Sequence, residues 1–205
     1  MAIQVKGIDG FYMIPNVFNP MDSEYWIKTI EINRGNACKQ IHTADEFGWK
    51  FIPVEKKSKK DYLGKNPEWL DKIWNIAFNQ IKNKIDDLPN GLDHYDHVLI
   101  NHYNPDDGCK SHIDDVKFWD EWVLGVSFGS GCILILTSEQ NQIYNIYLPP
   151  NSVFLLLRDS RYKCKHGISF ESVCNVYGNQ IQRTKRISLT FRTISFEYLS
   201  QEERT

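Results

Sequence analysis

The amino-acid sequence predicts an α+β fold in which helices buttress one sheet. Three features point to it. Two segments of helical period lie early in the chain, each opened by an Asn-Pro pair, Asn19-Pro20 and Asn66-Pro67. From residue 97 onward the apolar segments are short, strand-like and closely separated by turns. The 205 residues are 41% hydrophobic and 13% aromatic, enough for one domain with a sizeable core.

Taken in order, Phe11-Tyr12-Met13-Ile14 is expected to be a strand. Asn19 then caps a helix whose first position is Pro20. Tyr25, Trp26, Ile27, Ile30 and Ile32 form its apolar side, and Gly35-Asn36 ends it. Residues 37–65 are the least regular. Residues 47–53 read as a short strand, followed by a basic loop carrying Lys56, Lys57, Lys59 and Lys60 and ending near Tyr62-Leu63-Gly64. The second helix starts like the first. Leu70, Ile73, Trp74, Ala77, Ile81 and Ile85 keep helical spacing, so it runs to about Lys84 and packs on a sheet. Its aromatics Trp69, Trp74 and Phe78 belong to the core. Leu88-Pro89-Asn90-Gly91 is a turn. Strands are expected at 97–103, 122–129, 132–137, 142–148, 152–158, 163–168 and 186–194, and residues 201–205 are expected to fray. The organisation is an N-terminal helical region, 1–95, and a strand-rich core, 96–196, within one structural domain. Neither an internal repeat nor a low-complexity tract is present.

A formal charge of −2 gives no global bias towards nucleic acid, so an anionic partner must be met by a local patch. Five cysteines (Cys38, Cys109, Cys132, Cys164, Cys174) form no CxxC pair. The N-terminus MAIQVKGIDG lacks the apolar core of a signal peptide, and no apolar run approaches membrane-spanning length. These features suggest a reducing intracellular compartment, cytoplasm or nucleus, free thiols, no membrane association and a monomer.

The chemistry is concentrated around HVLINHYNPDDGCKSHID. Asn101 and Tyr103 are two apart, and so are His112 and Asp114. Residues two apart in an extended chain share a face. His112 and Asp114 can therefore aim an imidazole and a carboxylate at one point, as two of the three ligands of a facial triad that leaves open positions on non-haem Fe(II). His-x-Asp by itself is a weak signal in a chain with six His. It gains weight from His166, which follows the apolar run 153–157, and from the segment Arg186 to Arg192. There Arg186, Ser188, Thr190 and Arg192 share one face. Inward guanidiniums are costly unless they meet anions, and the planar fork of Arg pairs with a carboxylate bidentately. An iron beside two such Arg suits a small dicarboxylate.

Taken singly, these residues have ordinary readings. His102 points away from Asn101 and Tyr103, and Asp115 away from Asp114. Arg158, Arg161 and Arg183 are expected to be solvated. Cys109, His112, Cys164 and His166 could instead form a structural zinc site. Its spacings are atypical, and it would leave Asp114, Arg186 and Arg192 without a purpose. A binding module that kept the fold without catalysis is a further alternative.

The ordered set N-x-Y, H-x-D, distal His and R-x5-R resembles the AlkB family of Fe(II)/2-oxoglutarate-dependent dioxygenases. The likeness is good from His97 to Ile194 and looser before it. It implies a double-stranded β-helix, or jelly roll. It implies that His112, Asp114 and His166 hold Fe(II), and that Asn101, Tyr103, Arg186 and Arg192 hold 2-oxoglutarate. Members commonly carry Asn where this chain has Ser188. The implied reaction consumes O2 and 2-oxoglutarate, releases succinate and CO2, and hydroxylates a substrate C–H. An N-methyl group so treated leaves as formaldehyde, whereas a carbon centre stays an alcohol.

In that family the segment before the barrel forms a lid over the substrate. The likeness implies a flap here, with Lys56 and Lys57 meeting phosphates and Trp49 and Tyr62 stacking on a base. Bacterial repair-type members carry an acidic residue two beyond the H-x-D carboxylate, where this chain has Val116. PEWLDKI resembles the matching helix in several eukaryotic homologues, and the run Asp114 to Trp119 with Ser127-Phe128-Gly129 looks more like eukaryotic homologues of the tRNA-modifying and protein-demethylating branches. The implied function is oxidation, by demethylation, of a modified RNA or DNA. A methyl-lysine protein demethylase and a tRNA-base hydroxylase are alternatives with the same chemistry.

Overall fold

The structure is a computed structural model that describes residues 2–34, 38–39, 43–54 and 57–195. In chain order its elements are β1 (Ile3–Gln4), β2 (Phe11–Ile14), α1 (Pro20–Ile32), β3 (Cys38–Lys39), β4 (Thr43–Val54), β5 (Lys57–Tyr62) and α2 (Glu68–Lys82). There follow β6 (His97–Tyr103), β7 (Cys109–His112), β8 (Val123–Gly129), β9 (Cys132–Thr137), β10 (Ile143–Leu148) and β11 (Ser152–Leu156). The chain continues through α3 (Arg158–Tyr162), β12 (Lys165–Ile168), β13 (Val173–Val176), β14 (Asn179–Gln182) and β15 (Arg186–Arg192).

The first helix starts as its sequence predicts. Asn19 Oδ1 accepts the Asp22 N–H at 2.9 Å, and Pro20 opens the helix, where its missing N–H costs nothing. The second does not. Pro67 takes the cap position in an extended conformation, no side chain caps the helix, and the Asn66 Oδ1 is buried without a hydrogen-bond partner. Glu68 and Asp71 in its first turn instead place negative charge at the positive end of the helix dipole. Leu70, Ile73, Trp74, Ala77 and Ile81 face inward, as their spacing requires.

A nine-stranded sheet runs β1-β2-β11-β8-β15-β6-β4-β3, with β5 paired to β4, and a four-stranded sheet runs β10-β9-β12-β7. From β6 to β12 the chain passes back and forth between the two sheets, and β15 returns to the larger one between β8 and β6. This is the jelly roll. Alternation along the strands separates two cores. Leu124, Val126 and Phe128 of β8 face the helices, beside Trp74 and Phe191. Val123 faces the smaller sheet with Phe11, Met13, Leu134, Leu136, Phe154 and Leu156. No helix among the described residues is long and apolar enough to cross a membrane.

Residues 43–62 correct the sequence reading. The short strand at 47–53 is the middle of a twelve-residue β4, and the expected basic loop is strand β5, antiparallel to β4 from Trp49↔Tyr62 to Val54↔Lys57. Lys-Ser-Lys-Lys-Asp carries no apolar alternation, so only the partner strand makes it a strand. Gly35, Asn36, Lys56 and residues 201–205 lie outside the described residues. Helix α3 and the β13–β14 hairpin were also not expected.

Two of the three arginines expected in solvent are buried. Arg161, 1% exposed, donates to the carbonyls of Asp114, Asp115, Trp119 and Asp120 at 3.0–3.2 Å. Arg183, also 1% exposed, donates to those of Asp107, Ser169 and Glu171 at 2.7–3.0 Å. Irregular segments leave carbonyls unpaired, and a guanidinium with five donors can satisfy several at once. Arg158 stays half-exposed, bonded to Asp9, Asp87 and Tyr12.

Replacing Arg161 with Met keeps the bulk and removes every donor to this segment. Arg161→Met should cost on the order of 3 kcal/mol of unfolding free energy, because buried carbonyls lose their partners. Urea denaturation measures this; a midpoint equal to that of the wild type would show that the clamp adds nothing to stability.

Candidate active site

His112 ends β7 and stands opposite His166 of β12 in the ladder, with ring centroids 4.5 Å apart. Asp114 follows β7 by two residues. Its buried carboxylate turns towards both rings, with His112 Nε2–Oδ1 at 3.5 Å and His166 Nε2–Oδ2 at 3.9 Å. One ligand atom from each of the three lies within 4.8 Å of the others, a cluster able to hold a metal ion. The His112 ring places Nδ1 2.9 Å from the Lys110 carbonyl, a contact that orients Nε2 towards Asp114.

Arg192 grips the other edge of Asp114 bidentately, Nε to Oδ2 and Nη2 to Oδ1, both at 3.0 Å. Its guanidinium lies 5.3 Å from the centroid of the Trp119 ring, which in turn packs on His97 at 4.6 Å. Burial raises the Asp114 carboxyl, but Arg192 and the two imidazoles outweigh it and hold the group well below the usual carboxylate range. The hydrogen bond with Asp114 pushes His112 up to about 10. Burial pushes His166 down to about 4, so its ring is neutral at pH 7 and has a lone pair to offer. A carboxylate kept ionised beside two imidazole nitrogens fits a divalent cation of the iron type.

The inner face of the larger sheet continues the site. Asn101 pairs with Ser188 and Tyr103 with Arg186 across β6 and β15, and all four line a cavity of about 840 Å³ that also reaches His112 and His166. Arg186 is fully buried. Its Nε donates to Ser127 Oγ at 2.9 Å, its guanidinium lies 5.1 Å from the Tyr103 ring centroid, and its Nη1 is buried with no hydrogen-bond partner. A buried guanidinium nitrogen left without an acceptor is costly, and a ligand carboxylate entering the cavity would relieve it. The Arg192 fork, by contrast, is already occupied by Asp114. Ser188, where the resembling family commonly has Asn, hydrogen-bonds Tyr103, whose phenol is pushed up by burial. Gly125 leaves space for the Phe154 ring: a Cβ there would fall 2.1 Å from Cε1.

The structure brings six of the sequence-derived candidates to this cavity and adds Asp114 beside it through Arg192. Trp49 and Tyr62 are placed elsewhere, as a cross-strand pair with ring centroids 4.9 Å apart, and Trp49 packs on Phe118, Trp119 and Ile194. Lys57 lies in β5 opposite Val54. The zinc alternative fails on geometry: Cys109 Sγ is 3.8 Å from His112 Nδ1, but Cys164 is buried in the apolar core between the sheets. Sequence reasoning missed Ser127 and Arg161. Arg161 holds the backbone of Asp114 and has no periodic signal, since its partners are loop carbonyls.

A sequence model described as the 2OG-Fe(II) oxygenase superfamily matches residues 10–192. An uncharacterized protein of Acanthamoeba polyphaga mimivirus is 32% identical over 209 residues, covering 97% of this chain and 91% of that one. A Caenorhabditis elegans protein named DNA N6-methyl adenine demethylase is 20% identical over 204 residues, 93% of this chain and 62% of its own length. A Xenopus tropicalis tRNA (carboxymethyluridine(34)-5-O)-methyltransferase is 25% identical over 115 residues, 48% of this chain, which spans only 18% of that protein's length. Among solved structures, OsALKBH1 matches with a TM-score of 0.63 at 14% identity, covering 94% of this chain and 100% of its own, a likeness of fold. The chain therefore belongs to the 2OG-Fe(II) oxygenase superfamily, as an AlkB-like dioxygenase that uses Fe(II), 2-oxoglutarate and O2.

Proposed function

We propose that the chain demethylates a methylated base of RNA or DNA, with His112, Asp114 and His166 holding Fe(II), with Arg186, Tyr103 and Asn101 serving 2-oxoglutarate, and with Arg192, expected from the sequence to join them, holding Asp114 instead. The observation that carries the cofactor part is the unpartnered Nη1 of buried Arg186, inside the cavity that the two histidines also line. Fe(II), once bound with 2-oxoglutarate and O2, supplies oxidative decarboxylation to succinate and CO2 and the hydroxylation of a substrate N-methyl, which then departs as formaldehyde.

The protein's own groups bind and orient. Arg186 meets the far carboxylate of the co-substrate, braced from below by Ser127 and from the side by the Tyr103 ring. Arg192 keeps Asp114 ionised and turned to the two rings, while Arg161 fixes its backbone. Val123, Leu134, Phe154 and Ile168 add apolar side chains to the wall of the cavity. The nucleic-acid part rests on relatives whose names specify DNA N6-methyladenine demethylation and tRNA modification. The β4–β5 hairpin supports it with the Trp49–Tyr62 ring pair for contact with a base, and the sequence with Lys56 and Lys57 to meet phosphates.

Protein loaded anaerobically with Fe(II) and supplied with 2-oxoglutarate should release succinate on admission of air. His166→Ala should reduce this to background while melting as the wild type does, since the ring gives up no strong hydrogen bond. It is a cleaner test than Asp114→Ala, which would also strand the buried Arg192. Succinate at the wild-type rate from His166→Ala would refute the ligand assignment.

Arg186→Ala should raise the 2-oxoglutarate KM by about 10- to 100-fold, the loss of a charge-assisted pair. An unchanged KM would place the carboxylate elsewhere. Formaldehyde should be released from methylated oligonucleotides; release from methyl-lysine peptides alone would overturn the nucleic-acid reading.

A further inference from the structure

Phe170 is a large apolar ring left 51% exposed while forming part of the wall of the active-site cavity. Its position is closely determined. Gly108, itself buried, lies directly against the ring: a Cβ at 108 would fall 2.7 Å from Phe170 Cγ and 2.6 Å from the Ile168 carbonyl oxygen. The carbonyls on either side of Phe170, those of Ser169 and Glu171, both accept from Nη1 of Arg183, at 2.7 and 3.0 Å. Nη2 of the same guanidinium donates to the Asp107 carbonyl at 2.9 Å, next to Gly108. The Arg183 backbone N–H adds a bond to the Ser172 carbonyl at 2.8 Å. One buried guanidinium thus ties the segment bearing the ring to the segment beneath it.

Burial does not explain this arrangement, because the ring is not buried. Preorganisation for a ligand does: a face fixed before binding loses little conformational entropy on contact. Phe170 is four residues beyond His166, at most about 13 Å of extended chain. Lys110, exposed on β7 and lining the same cavity, adds a positive charge near this rim, and the Asp107 carboxylate is turned back to the Asn104 N–H. A planar, uncharged ring face beside an ammonium suits a base and its phosphate.

We infer that Phe170 is a preformed stacking platform for a nucleobase of the substrate strand, adjoining the base whose methyl group enters the cavity, and that Arg183 is its positioning residue. The inference rests on the nucleic-acid reading above. Stacking is tolerant of sequence, so the platform adds affinity for a single strand without reading its bases.

The test is the affinity for a labelled single-stranded methylated oligonucleotide, by fluorescence anisotropy, with 2-oxoglutarate present and Mn(II) replacing Fe(II) to prevent turnover. Phe170→Leu keeps an apolar side chain and removes the π face. It should weaken binding about 10-fold. The slope of log affinity against log salt should not change, because no phosphate contact is lost. Phe170→Trp should bind as tightly as the wild type or more so. If the wild type binds and Phe170→Leu binds equally well, the platform is overturned and the nucleic-acid reading stands. If the wild type binds no oligonucleotide, that reading fails and the platform with it. Should Phe170→Leu fold poorly, Phe170→Trp decides: retained affinity supports the platform, and a tenfold loss overturns it.

Discussion

The buried pair between Asp114 and Arg192 is the interaction on which the rest of the site depends. A carboxylate and a guanidinium taken out of water repay their desolvation only when geometry is good and the remaining polar groups are satisfied. Both conditions are met. The pair is bidentate at 3.0 Å, and the two histidines take the open side of the carboxylate. Trp119 covers the guanidinium, and Arg161 binds the carbonyl of Asp114 itself. The carboxylate is thereby held ionised and immobile at the point where two strands of the smaller sheet present their imidazoles. Preorganisation of this kind spares a metal site the cost of collecting its ligands.

The jelly roll makes such a meeting inexpensive. Each passage between sheets carries the chain across the cavity, so β7 and β12 become neighbours although α3 and four strands lie between them in sequence. Across the cavity, β15 lies between β8 and β6 and can present Arg186 at one end and Arg192 at the other. The spacing of the two arginines is then a distance along one strand, with Arg186 set against Tyr103 and Arg192 against His97. One guanidinium is occupied by the protein's own carboxylate, and the other keeps a buried nitrogen without a hydrogen-bond partner.

Buried arginines recur in this fold with a common purpose. Arg161 and Arg183 both bind clusters of loop carbonyls, and both sit beneath segments that border the cavity. A jelly roll puts its active site at the mouth of the barrel, where the chain is irregular and regular ladders cannot satisfy the backbone. A guanidinium in each loop cluster supplies the missing donors and fixes the geometry at the same time.

Although Tyr25 and Ile32, expected on the apolar side of α1, are exposed, the sequence by itself determined the inward face of α2, the main strands and the identity of the polar residues that meet in the cavity. Those follow from local periodicity: Leu70 to Ile81 can bury only one side of a helix, and Asn101, Tyr103, Arg186 and Ser188 must share faces on extended strands. Only the tertiary structure decided the rest. Strand β5 is polar throughout residues 57–61, so its state depends on β4 rather than on its own composition. Arg161 and Arg183 resemble surface residues until the carbonyls they bind are brought together from distant segments. The division between Arg192, turned to Asp114, and Arg186, left open, is likewise invisible in their spacing. Periodicity records which face a residue shares, whereas hydrogen-bond satisfaction depends on what the completed fold places opposite it.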